Sequence, residues 1–187
     1  FAKLAGIRDT WQKQSPFWQD ACIQSSALFF APQDELLKEG LHGLWANWQD
    51  RYEWAGRISF VSHRKRVARA VREGFQYVTP KGIKMLVFQG AKLSSDAAED
   101  PGAGGFDIIC GFDVIYEGGQ VKYLYSCRSR QGYDVSALAK RNGGGGHKAA
   151  AGFNVVTPGT DPYARFIIAV EAHEAEQAAS DEVCDRR

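Results

Sequence analysis

No run of about eighteen apolar residues interrupts this 187-residue chain, so a membrane-spanning helix is not expected. Nor is there a secretory leader, and a cytoplasmic location with no membrane partner is the expectation. Net charge is nearly absent as well: 23 Lys and Arg stand against 22 Asp and Glu, a formal charge of +1. An anion site must therefore be a local concentration of positive groups and donors, not a property of the whole surface. Cysteines are few, and Cys22, Cys110, Cys127 and Cys184 are scattered with no Cys-x-x-Cys pair. That argues against a zinc site and a disulfide framework, so the four are read as free thiols. The opening "FAKLAGIRDTW" lacks an initiator methionine and reads as the middle of a longer protein.

With 44% apolar and 24% charged residues, the chain has what one ordinary folded domain, or one and a half, requires. Ser15-Pro16 matches a helix start, and Phe17, Ala21, Ile23, Ala27 and Leu28 follow a helical stripe towards Pro32. From about Gln33 a second helix carries Leu37, Leu41, Leu44, Trp45 and Trp48 at spacings of three and four, an aromatic stripe expected to face a core. Residues 58–73 form a basic amphipathic helix with His63, Arg64, Lys65, Arg66, Arg69 and Arg72 opposite Val61, Val67, Ala70 and Val71. A solvated surface is the simpler reading of that basic face, and a phosphate-tracking face the alternative.

After Pro80 the pattern changes to short runs rich in β-branched and aromatic residues: "GIKMLVFQG", "GFDIICGFDVIYEG", "VKYLYSCRS" and "AAGFNVV". Gly118-Gly119 predicts a tight hairpin turn between the second and third. Asp134 caps a short helix, "VSALAKR", and Asp161-Pro162 starts a terminal one. The expected fold is α/β: a mixed sheet of about four or five strands covered by helices, preceded by a helical N-terminal segment. Residues 1–76 are expected to be helical, 77–176 to form the sheet domain, and 177–187 to fray.

Gly143, Gly144, Gly145 and Gly146 run directly into His147 and then Ala149 to Ala151. Successive glycines are tolerated where a side chain would block something or where φ must be positive. Exposed main-chain N–H groups in such a turn can converge on an anion, and an imidazole beside them can donate to phosphate. A flexible linker is the competing reading. The flanks contradict it, because a capped helix ends just before the run and an apolar strand begins just after.

The stretch "SCRSRQGYDVSALAKRNGGGGHKAAAGF", Ser126 to Phe153, resembles the C-terminal, DHH-associated substrate domain of the Asp-His-His (DHH) phosphoesterase superfamily. The likeness rests on Ser-x-Arg-Ser, the "DVS" helix start, Gly-Gly-Gly-His and Ala-Ala-Gly. More loosely, "KGIKMLVFQGAKLSSDAAE" is similar to the family's strand and following loop, and "IRDTW" to the segment after the metal-binding domain. The resemblance implies a nucleotide or short oligonucleotide substrate held between two lobes, with the glycine run, His147 and Arg128 touching phosphate or the terminal nucleotide. A guanidinium suits that role because it can grip phosphate with two parallel hydrogen bonds. Ser126 and Ser129 could assist, although local backbone capping is the simpler role for each. Residues 1–76 would then be the end of the metal domain with linker helices, and a homodimer is possible.

The family's Asp-x-Asp and Asp-His-His motifs, which would hold two manganese ions, are missing. His42, His63 and His173 stand singly on expected helices without acidic neighbours at ligand spacing, and Asp9 is not read as a ligand, so no metal or cofactor is expected on this chain. Hydrolysis would belong to an upstream DHH domain by two-metal activation of water, and this chain alone would bind weakly without turnover. The alternative function is an accessory module like the related one at the C-terminus of alanyl-tRNA synthetases, binding tRNA or other nucleic acid.

Overall fold

Between Phe75 and Val156 the alternation of apolar with small or polar residues builds one mixed six-stranded sheet, ordered β1-β2-β3-β4-β6-β5. Its strands are β1 Phe75–Val78, β2 Lys84–Gln89, β3 Ile108–Glu117, β4 Gln120–Ser129, β5 Gly145–His147 and β6 Ala150–Val156. The computed structural model describes residues 7, 12–28, 40–156 and 160–185, with the backbone alone for 40–51 and 180–185. Its helices are α1 Trp18–Leu28, α2 Gly40–Glu73, the single turn α3 Ser94–Ala97, α4 Val135–Arg141 and α5 Pro162–Asp185. The fold is α/β, as expected. By compactness the chain divides into residues 1–65 and 66–187, a boundary that falls inside α2.

In the first unit α1 buries Ala21, Ile23 and Ala27, and α2 approaches it closely through Gly56, where an added Cβ would lie 2.4 Å from the Ile23 carbonyl oxygen. The two helical patterns expected after Gln33 are one helix from Gly40 to Glu73. The tryptophan stripe at Trp45 and Trp48 lies outside the described side chains.

In the second unit β2 and β3 run parallel and every other pairing is antiparallel. Strand alternation sends Met85, Val87, Ile108, Cys110, Phe112, Tyr123, Tyr125, Cys127, Ala151 and Phe153 to one face, where they pack with Val135 and Leu138 of α4 and Phe166, Ala169 and Val170 of α5. Tyr125 sits at the centre of this core, 5.0 Å from the Phe153 ring and 5.4 Å from Phe166, and its hydroxyl donates to the Pro162 carbonyl. Cys110 and Cys127 face each other across β3 and β4 as unoxidised thiols with sulfurs 3.6 Å apart, and burial pushes the Cys110 thiol well up from its ordinary range. Cys22 is also a buried thiol outside any disulfide. The opposite face is covered only in part: Val67 and Val71 of α2, with Ala97, Ala98 and Ala103 from the β2–β3 crossover, close over Leu86, Phe88 and Ile109.

Locally encoded features agree with the sequence. Gly118 and Gly119 take φ of 59° and 77° in the β3–β4 turn, and the Asp161 carboxylate accepts from the Tyr163 N–H to start α5. Two of the six strands, β1 and β5, lie outside the expected set. β1 is a four-residue edge strand exposed on both faces except at Tyr77, so it carries no alternation to read. β5 is built almost wholly of glycine.

Candidate nucleotide-binding face

The glycine run is not a loop. Gly143, at φ 76°, closes α4: its N–H donates to the Lys140 carbonyl and the Gly144 N–H to the Ala139 carbonyl, the paired bonds of a left-handed helix stop. At Gly144 a Cβ would stand 2.1 Å from the Gly152 carbonyl oxygen, so the chain there must be bare to reach the sheet. Gly145 to His147 then form β5, the sheet's outermost strand, paired to Ala150–Gly152 of β6. Gly145 differs from its neighbours, with no positive φ and, among the described residues, nothing within 4 Å of an added Cβ. Neither backbone geometry nor packing excludes a side chain at that position.

Register places four of the proposed residues, Ser126, Arg128, Gly145 and His147, on the incompletely covered face, while Gly146 pairs with Ala151 of the core side. Arg128 pairs with Ala150, and Ala150 with His147, so these three form one row across β4, β6 and β5. Two residues along lies a parallel row of Gly111, Ser126, Gly152 and Gly145. Directly paired residues share a face, so Arg128 and His147 stand on the same side, two strand spacings or roughly 10 Å apart at Cα. At the outer end of this second row Gly152 and Gly145 raise no side chain and leave a shallow trough, whereas Gly111 at its inner end is buried against Gly90 and Ala91. His147 and Gly145 are exposed, and the outer edge of β5 presents main-chain N–H groups with no strand partner among the described residues.

Arg128 is held firmly. Its Nε and Nη2 donate to Ser95 Oγ at 3.1 and 2.7 Å, and its Nη1 to Ser126 Oγ at 3.2 Å and the Cys127 carbonyl at 2.8 Å. Ser126 Oγ in turn shares a 2.9 Å hydrogen bond with the buried Ser94 Oγ. These bonds engage four of the five guanidinium N–H groups. The Nε–Nη2 edge of the guanidinium is thus occupied by the Ser95 hydroxyl. Ser94 and Ser95 are the residues that sequence reasoning missed, although they lie in the "GAKLSS" stretch noted for its resemblance.

Ser129 is not brought to this face. Strand alternation turns it to the side of Cys127, where its hydroxyl is buried with no hydrogen-bond partner among the described residues. Asp134 serves α4: its Oδ1 accepts from the Ser136 and Ala137 N–H groups and from the Ser136 hydroxyl, and that hydroxyl, ahead of the two amides, holds the carboxyl below its ordinary value of 3.8. Among the described residues, no three of His, Cys, Asp or Glu come together in a way that could hold a metal ion, and no helix is long and apolar enough to cross a membrane.

Solved structures of DHH-type proteins are similar to this chain. A pGpG-specific phosphodiesterase from Vibrio cholerae is 11% identical with a TM-score of 0.41, over 72% of this chain and 43% of that one. The DHH domain of a protein assigned to a family of ribosomal proteins is 18% identical with a TM-score of 0.44, over 72% of this chain and 34% of that one. An exopolyphosphatase-related protein from Bacteroides fragilis is 15% identical with a TM-score of 0.35, over 73% and 48%. The chain thus spans a third to a half of the length of these proteins, 34–48%. They belong with the superfamily that the Ser126–Phe153 motif resembles, but at these identities and TM-scores no function passes from them to this chain. No family model and no curated protein matches it.

Proposed function

We propose that the open sheet face binds the phosphate end of a nucleotide or short oligonucleotide, as the substrate-holding half of a DHH-type phosphoesterase. The reading rests on one observation above the others: Arg128 and His147 stand in a single register row on one face, beside a trough of glycines, while the reverse face is packed core. A permanent cation, an imidazole and bare amide edges can then act on one anion from different sides. The trough admits a flat sugar or base against the sheet because Gly145 and Gly152 raise no side chain there. The sequence motif supports the same residues.

The two manganese ions implied by the resemblance would belong to an upstream DHH domain, and no donor set among the described residues fits them. When bound there they would supply activated water for phosphoester cleavage. The residues of this chain bind and orient: the guanidinium fixes the phosphate, the imidazole donates to it, and β5 limits how far the nucleotide can slide.

The deciding experiment is titration of the 187-residue chain with pGpG and with its dephosphorylated form GpG, followed by NMR or calorimetry. Tighter binding of pGpG, weakened about tenfold by His147→Ala and by more in Arg128→Ala, is expected for loss of hydrogen bonds to a charged group. Equal affinity for pGpG and GpG, or wild-type affinity in both variants, overturns the reading. Binding of longer RNA with the same indifference to a terminal phosphate would favour the tRNA-binding alternative.

A further inference from the structure

Building on the phosphate site just proposed, we infer that the Ser95 hydroxyl is itself a ligand donor, aimed and polarised by Arg128. A serine oxygen has two lone pairs and one proton. Arg128 Nε and Nη2 both donate to Ser95 Oγ, at 3.1 and 2.7 Å, so both lone pairs are used. The hydroxyl is then left with its proton alone, and no acceptor for that proton is found among the described residues. An O–H whose oxygen accepts two hydrogen bonds from a guanidinium is a stronger donor than a free serine, because hydrogen bonds in a chain polarise one another. Such a donor suits an anionic oxygen.

The surroundings hold this arrangement in place. Ser94, the preceding residue, is 1% exposed and bonds Ser126 Oγ at 2.9 Å, and Ser126 Oγ accepts from Arg128 Nη1. Two consecutive serines of α3 are thereby tied to alternate residues of β4, and Ser95 stands at the wall where the covered half of the face ends and the open half begins. With Nε and both Nη1 protons occupied, Arg128 has a single Nη2 N–H to offer directly. Ser95 supplies the second donor that a bidentate grip requires, and it conveys the positive charge without surrendering the network. The class of ligand is a terminal phosphoryl group on a nucleotide.

A contrary role can be stated for the same geometry: Ser95 occupies the guanidinium edge as a stand-in for the phosphate oxygen and must leave before ligand binds. The two roles predict opposite signs. As a donor, Ser95→Ala lowers pGpG affinity about tenfold, the size of one hydrogen bond to a charged group, leaves GpG affinity unchanged, and Ser95→Thr restores binding to within about threefold. Unchanged or tightened binding in Ser95→Ala overturns the inference. Thermal midpoints of each variant show that the fold is retained, and Ser95→Cys, of similar size but a weak donor, is the second variant should alanine disturb α3. It too should bind pGpG several-fold more weakly. If His147→Ala and Arg128→Ala lose pGpG binding while Ser95→Ala does not, this inference alone fails. If none of the three changes binding, the site itself is wrong.

Discussion

Along β4 two surfaces alternate residue by residue. Tyr123, Tyr125 and Cys127 enter a core in which Tyr125 and Cys127 are fully buried, while Ser126 and Arg128 between and after them turn to a face of hydroxyls, a cation and glycines. The first surface carries stability because apolar area leaves water there, at roughly 25 cal/mol per Å². The second gives up that burial on β4, β6 and β5, and its polar groups are instead fixed by one another. The face proposed to bind ligand is thus the less stabilising of the two.

Truncation in the packed face should have the largest effect. Phe166→Ala removes a fully buried ring stacked on Phe153 and near Tyr125, and should cost about 3–5 kcal/mol in denaturant unfolding. Loss of under about 1 kcal/mol would mean that α5 is not the lid of this core. Gly144→Ala comes next. Its Cβ would meet the Gly152 carbonyl oxygen at 2.1 Å and the Phe153 side chain at 2.6 Å, so β5 must shift off β6, at a cost of about 1–3 kcal/mol.

Smaller again is the helix that leads into β5. Asp134→Ala should cost about 1 kcal/mol, as for other lost N-caps. The carboxyl is held below its ordinary 3.8, so its contribution is complete above the unfolded-state pKa and fades as pH falls through the lower folded-state value. Stability profiles of wild type and Asp134→Asn should therefore diverge at neutral pH and converge in acid. Parallel profiles would remove the charge from the cap and leave only its shape.

What is legible beforehand follows the range of the interaction. The Gly118-Gly119 turn, the Asp134 cap and the Asp161 start each act within three residues, and each is where the local chemistry puts it. Ser126, Arg128 and His147 share one face as the motif suggests, but strict alternation along β4 already separates Ser129 from them. β1 and β5 escape notice because an edge strand with no buried stripe has no period. The tie from Arg128 to Ser95 spans 33 residues and depends on β2 and β3 running parallel. Nothing local in "GAKLSS" announces it.

Least visible in stability, and most visible in binding, should be the pair Gly145→Ala and His147→Ala. Both positions are exposed, Gly145 has open space where a Cβ would go, and neither substitution removes a buried contact, so unfolding free energies should stay within about 0.5 kcal/mol of wild type. If the trough receives a nucleotide, a methyl on Gly145 fills the space the ligand needs, and binding of pGpG should fall alongside that of His147→Ala. The contrast with Gly144→Ala, one residue away, makes the test sharp: there the fold weakens first. A Gly145→Ala chain that is as stable as wild type and binds pGpG just as tightly would mean the bare position serves no ligand, and the trough would lose its part in recognition.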